Sequence, residues 1–356
     1  MTARQFIIGM LICWGAANLA HSADTTALSA ADFSKRAYRG FTLDNIFLAS
    51  ASEKDFDDMA EMHVNLVRTG IALTRCENCK AYAILPATLA AVDRIVAMAA
   101  KRHMYVILTL EPEKPEEGKY WNDTELQRSI IDTWVKLTER YKGNPGMGGF
   151  DLINEPNPPG SWREASRQYA NFAGRIIQAL RAVDTKRMIV YEPAPRGHTF
   201  YAFKPILDNP LPYSNVVYST HFYPPMEITS QGIGQLPRGQ VYPSAEWNKA
   251  KLSERLDTIR QFLRKYNLPF YIGEFSCTRF APESTRSRWI KDAIDLFEAE
   301  GWSWTFHSFR GWDGYDPELT SYAPRAHTRK DADRQRAETP AISLLREYLD
   351  KNQLTK

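Results

Sequence analysis

Asp151-Leu152-Ile153-Asn154-Glu155-Pro156 reads as an apolar strand that ends in an amide beside a carboxylate. A second apolar run, Phe270-Tyr271-Ile272-Gly273, ends the same way, on Glu274. Short unbroken apolar runs are what strands look like when helices cover both faces of a parallel sheet. A single strand-end glutamate is ordinarily an exposed loop carboxylate. Two of them suit glycoside hydrolysis, in which one carboxyl group protonates the leaving oxygen and the other attacks or activates water.

Working outward from these two segments, the same kind of run recurs along the chain. Strands are expected at Gly40–Leu43, Asn65–Thr69, Tyr105–Leu110, Phe150–Ile153, Met188–Tyr191, Val216–Thr220, Phe270–Gly273 and Trp302–Phe306. Helical periodicity fills the gaps at 53–63, 87–102, 125–142, 161–183, 246–266 and 282–300. The clearest is 161–183. Ser161 and Glu164 form a capping box, and Ala165, Tyr169, Phe172, Ile176 and Leu180 make one apolar face. Only the stretch between the fifth and sixth strands lacks a long helix. Eight alternating units without a glycine-rich phosphate loop predict an α/β fold, a single (β/α)8 barrel, rather than a doubly wound sheet.

The 356 residues fit one such domain, with 44% hydrophobic residues for its core. A formal charge of +3 is too near neutral to argue for nucleic acid or a membrane surface as partner, and neither is expected. Aromatic residues reach 12%, which fits stacking on sugar rings and an aromatic core equally well. Arg4, the apolar stretch Phe6–Ala20 and the small residues through Ser22 and Ala23 read as a secretory signal spanning 1–23, leaving 24–356 as the catalytic domain. The chain is therefore expected to be secreted or periplasmic, with no further membrane segment. In that compartment Cys76 and Cys79 are expected to pair locally, with Cys277 left as a free thiol. No further ligands at matched spacing make Cys76 and Cys79 a zinc site.

Active sites of such barrels lie at the C-terminal strand ends. The residues there are Arg68, Glu111, Asn154 with Glu155, Glu192, His221 with Tyr223, and Glu274, followed by Trp304, His307 and Trp312. Spacing alone does not choose among Glu111, Glu155, Glu192 and Glu274. A nucleophile needs a cation or hydrogen bonds to stay ionised, and Arg68 is a plausible cation for that role.

Four motifs in order carry a resemblance to glycoside hydrolase family 5, the retaining β-glycanases. They are Asn65-Leu66-Val67-Arg68, Asn154-Glu155-Pro156, His221-Phe222-Tyr223 and Gly273-Glu274-Phe275, followed by a Trp-rich eighth strand. The resemblance spans about Gly40 to Trp312. It implies a cellulase-like enzyme that needs no metal or organic cofactor and acts on a β-linked polysaccharide, β-1,4-glucan first, as a monomer. It also implies Glu155 as acid/base and Glu274 as nucleophile. Asn154 would hold the sugar 2-hydroxyl, Arg68 and Tyr223 would donate to Glu274, and His221 would line the same subsite. Mannan or an exopolysaccharide is the alternative substrate, and a non-catalytic carbohydrate-binding barrel the alternative class.

Two departures stand out. The family usually has His at the end of the third strand, where this chain has Glu111. The eighth strand ends in His307 rather than Trp, so Trp312 is the expected sugar platform and Trp304 core packing. Trp121 and Trp162 are expected in outer subsites, and Trp247 at a helix start. The mixed-charge stretch Arg325–Arg336 reads as a solvated loop.

Overall fold

The computed structural model describes residues 27–75, 81–112 and 118–355. The expected signal segment and the Cys76–Cys79 pair lie outside them. Eight strands run β1 Arg39–Leu43, β2 Leu66–Arg75, β3 Tyr105–Pro112, β4 Met147–Asp151, β5 Met188–Tyr191, β6 Val216–Phe222, β7 Phe270–Phe275 and β8 Ser303–His307. Each pairs in parallel with its neighbours, and β1 pairs with both β2 and β8, so the sheet closes into a barrel. A two-residue strand, Tyr82–Ala83, adds an antiparallel flap on β2.

The helices follow the expected periodicity. Trp162–Val183 starts at the Ser161 cap, where the Ser161 N–H donates to Glu164 at 2.8 Å. Its Ala165, Tyr169, Phe172, Ile176 and Leu180 are all buried. The expected helix 246–266 is two pieces, Lys249–Glu254 and Asp257–Tyr266. Arg260 donates at the break to the Ser253 carbonyl and to Asp257. Between β5 and β6 stands only the short 3-10 turn Lys204–Ile206. Pro340–Leu349 is a helix that periodicity did not single out.

The core has two parts. The larger lies between barrel and helices. The smaller fills the barrel floor, where Leu28, Phe33 and Tyr38 meet Leu66, Ile107, Val190 and Tyr271. Phe33 stacks on Tyr38 with ring centres 5.0 Å apart and meets Tyr271 edge-on. The Ala30 N–H donates to Asn215 at 2.7 Å, fixing this plug at the N-terminal end. With the floor closed by apolar side chains, the polar residues of the interior gather at the other end, around Arg68, Asp151 and His221.

Candidate active site

Arg68 is the hub. It is fully enclosed on β2, and its fork donates to Asp151 at 2.9 Å, Glu274 at 2.7 Å and Asn154 at 2.8 Å. One planar guanidinium on β2 thus ties the ends of β4 and β7 together, a geometry that lysine cannot reproduce. Asp151 is the anchor that sequence reasoning left without a role. Its signal was there, since a carboxylate inside an apolar strand must find a cation.

Glu274 carries a second set of contacts. The Tyr223 hydroxyl donates to its Oε2 at 3.0 Å, and His307 Nδ1 lies 2.9 Å from the same hydroxyl. A phenol has one proton. With that proton on the carboxylate, His307 donates to the tyrosine oxygen, giving a chain from His307 through Tyr223 to Glu274. Burial alone would push the Glu274 carboxyl up. The imidazoles of His221 and His307, the Arg68 guanidinium and the Tyr223 hydroxyl outweigh it and hold the group down to about 2.

Glu155 sits four residues beyond Asp151, the last paired residue of β4, at φ 44°, in the left-handed region. A non-glycine residue held there marks local strain that the surroundings must fix. The fixing contacts are visible: the Asn154 N–H donates to the Leu110 carbonyl at 2.9 Å and the Glu155 N–H to Glu192 at 3.3 Å. Its side chain is partly open to the cleft, with Oε1 2.9 Å from His221 Nδ1 and Oε2 3.9 Å from Arg196. The same His221 nitrogen is 3.5 Å from Glu274. A carboxyl oxygen of Glu155, a ring nitrogen of His221 and a carboxyl oxygen of Glu274 all lie within 4.8 Å of one another. Gly273 makes the His221 position possible, because a Cβ there would stand 3.2 Å from Nε2 and 2.9 Å from Ser219 Oγ.

A cleft of about 560 Å³ opens over the pair, its walls including Arg196, Tyr223, Trp247, Arg255 and Tyr315. Glu155, Glu274, Arg68, Asn154, His221 and Tyr223 therefore come together as one constellation. Trp312 does not line this cleft. Its indole packs edge-on against Tyr315 with centres 5.1 Å apart, covers Gly314 and faces a smaller cavity beside Arg310 and Arg325. The aromatic rings at the cleft wall are Tyr223, Trp247 and Tyr315, and the end of β8 is His307.

Two further expectations about aromatic residues need correction. Trp121 is not an outer subsite but core, buried against Tyr120, Tyr169 and Phe172. Trp162 opens its helix beside Tyr201 under the Arg163 guanidinium and does not reach the cleft. Trp247 does precede a helix start, as expected, but it also lines the cleft with Arg255 5.0 Å over its ring. Trp304 is fully buried, as core packing requires. Glu111 leans over β2, where a Cβ on Gly70 would stand 2.0 Å from its Oε1, and it lies off the cleft wall.

Known proteins resemble this chain in sequence and in fold. Residues 29–312 match the family model described as cellulase, glycosyl hydrolase family 5. A β-xylosidase of Phanerodontia chrysosporium is 22% identical over 73% of this chain and 53% of its own length. An endoglucanase of Paenibacillus polymyxa is 26% identical over 61% of this chain and 56% of its own. The chain thus spans about half the length of these two relatives. Among solved structures, the endoglucanase Cel5A of Thermotoga maritima superposes with a TM-score of 0.74 at 21% identity, covering 89% of this chain and 100% of that one. The cellulose synthase subunit Z of Clostridioides difficile gives 0.73 at 21% identity over 87% and 99%. On a family match that covers most of its length, and with the barrel to go with it, the chain belongs to glycosyl hydrolase family 5.

Proposed function

We propose that the protein is a secreted or periplasmic β-glycanase that cleaves a β-linked polysaccharide, β-1,4-glucan first, by double displacement. One observation carries the mechanism: carboxyl oxygens of Glu155 and Glu274 lie within 4.8 Å of each other across His221. Retaining enzymes hold their carboxyl groups ~5–5.5 Å apart, whereas inverting ones need ~6.5–9.5 Å to seat a water between them.

The roles follow from the surroundings. Glu274, kept anionic by Arg68 and Tyr223, attacks the anomeric carbon. As that C–O bond forms, the glycosidic C–O bond breaks and Glu155 gives its proton to the departing oxygen. Glu155, now a carboxylate, takes a proton from water. That water attacks the same carbon and displaces Glu274 as carboxylate. Arg68 holds Asn154 by its carbonyl oxygen, which aims the amide N–H group outward, as a donor for the sugar 2-hydroxyl. The endoglucanase relatives support a glucan substrate.

A second reading, an acidic exopolysaccharide, is favoured by Arg196 and Arg255 on the cleft wall. Product analysis on β-glucans, mannan, xylan and acidic exopolysaccharides separates the two. NMR of the first-formed anomer tests the mechanism, and an inverted product would refute it.

A further inference from the structure

Glu192 follows β5 directly and is completely buried beneath the site, yet the double displacement gives it no part. Its Oε2 accepts the Glu155 N–H and lies 3.3 Å from His221 Nε2. Among the described residues its Oε1 has no hydrogen-bond partner. The loop after β5 is shaped around it. Gly197, at φ +56°, could carry no Cβ, which would stand 2.4 Å from Glu192 Oε1 and 2.6 Å from its Cγ. A buried carboxyl costs several kcal/mol unless it is matched or protonated. Such a group, enclosed by a purpose-shaped turn, calls for an explanation in terms of what it touches.

It touches both ends of the acid/base. Through the backbone it holds Glu155 in its left-handed conformation, and through the imidazole it reaches the Glu155 carboxyl. His221 Nε2 faces Glu192, so Nδ1 is the atom left for Glu155 at 2.9 Å. A carboxyl behind one ring nitrogen is the usual device for fixing the protonation and rotation of a working histidine.

Building on the glycanase reading above, we infer that Glu192 is a positioning residue for the general acid/base. In this arrangement it keeps His221 doubly protonated and aimed, so that Nδ1–H donates to Glu155 whenever Glu155 is a carboxylate.

Asp151, Glu155 and Arg68 surround Glu192, and Glu274, Glu155 and Arg68 flank His221 beyond Glu192. Burial pushes the Glu192 carboxyl up, to about 8, against the pull of His221. Burial disfavours the imidazolium too, but Glu192, Glu274 and the Glu155 hydrogen bond lift His221 to about 9. At neutral pH the pair thus holds protons that an exposed Glu would release near its ordinary 4.5 and an exposed His near 6.5.

The test is Glu192→Gln, which keeps the shape and an acceptor for the Glu155 N–H but can never ionise opposite the imidazolium. Two readouts separate positioning from mere packing. With 15N-labelled protein, the seven histidines give few enough signals for His221 to be assigned against His221→Asn. Wild type should show both ring nitrogens protonated at pH 7, and Glu192→Gln should lose the second proton at least about one pH unit lower. In kinetics, kcat/KM on a cello-oligosaccharide should fall roughly 10- to 100-fold, part of the ~10²–10⁴ that a placed acid supplies. A 2,4-dinitrophenyl cellobioside, which leaves without a proton, should change by less than about 3-fold. A singly protonated His221 in wild type, or equal losses on both substrates, would overturn the proposal. Should Glu192→Gln not fold, the wild-type spectra decide alone. Those spectra need no substrate, so a failed glycanase reading would show separately, as a wild type inert on every glycan.

Discussion

Replacing Arg68 with Met removes a cation but little volume, and two consequences can be sized. The first is electrostatic. Moving the Glu274 carboxyl from its ordinary 4.5 down to about 2 corresponds to roughly 3 kcal/mol of preference for the anion, at ~1.4 kcal/mol per tenfold. His221, His307, Arg68 and Tyr223 share that preference. A guanidinium in direct contact ordinarily supplies ~1–3 pH units of it. The acid limb of kcat/KM, set by ionisation of the nucleophile, should therefore move up by at least about one pH unit.

The second consequence is stability. Asp151 and Glu274 lose their buried partner, and breaking a buried pair costs ~3–5 kcal/mol. The sign with pH follows from the direction of each shift. The Glu274 group is depressed, so its contribution is complete above its ordinary 4.5 and is lost as pH falls towards 2. Burial holds Asp151 above its ordinary range even with Arg68 present, and without Arg68 it protonates more readily still. Both effects make the gap between wild type and variant widest near neutral pH and narrower below about 4.5. Urea unfolding at pH 7, 5 and 4, beside a pH profile on a soluble cello-oligosaccharide, measures both. An unmoved acid limb, or a stability loss under about 1 kcal/mol at pH 7, would refute the view of Arg68 as the hub.

Glu274→Ala should fail on every substrate, whereas Glu155→Ala should keep glycosylation by an activated aryl glycoside and be rescued by azide as the β-glycosyl azide. Exchange of the anomers between the two variants, read by NMR, would reverse the assigned roles. Tyr223→Phe should leave the fold intact and lower kcat/KM, since it removes the 3.0 Å donor to Glu274 and detaches His307; an unchanged rate would deny the relay any part. Phe172→Ala, at a fully packed position under Tyr120 and Trp121, should cost ~3–5 kcal/mol by thermal or urea unfolding without changing substrate preference. Cys277 is buried, with its thiol pushed up to about 12 by burial, so thiol reagents should label it only after unfolding, and mass spectrometry should find Cys76 linked to Cys79.

The barrel was legible because burial on both faces writes a strand as an apolar run. Where that code is silent, the reading slipped. The fourth strand was expected at Phe150–Ile153 and stands at Met147–Asp151, because Gly148 and Gly149 look like a turn. Their glycines answer to packing instead: a Cβ on Gly149 would stand 2.9 Å from Met188 Cε, and one on Gly148 3.0 Å from Tyr105 Cβ. Loop aromatics were the other weak point. Trp121 and Trp312 carry no periodicity to say which way a ring turns, and both turn toward packing partners rather than into the cleft. Strand-end polar residues were readable because a parallel barrel places every such residue on one rim. Arg68, Asn154, Glu155, His221, Tyr223 and Glu274 meet there for that reason alone.

What the rim does with so much negative charge is the remaining question, and counting answers it. Asp151, Glu155, Glu192 and Glu274 crowd around the buried Arg68 guanidinium and His221 imidazole, with His307 and Arg196 farther off, 3.6 Å from Glu274 and 3.9 Å from Glu155. Four ionised carboxylates with only Arg68 and His221 in close contact would be unstable in a low-dielectric interior. The site must therefore either hold protons or lose carboxyls to solvent. Only Glu155 is substantially open to the cleft, while Asp151, Glu192 and Glu274 are buried. Arg68 and Tyr223 commit Glu274 to the anion. The surplus protons then fall to the carboxyls around His221, which is where an acid/base must gain and lose one in each turnover. On the proposed mechanism, the division of labour between two chemically identical glutamates follows from which strand end each occupies, and from the cations those strands bring with them.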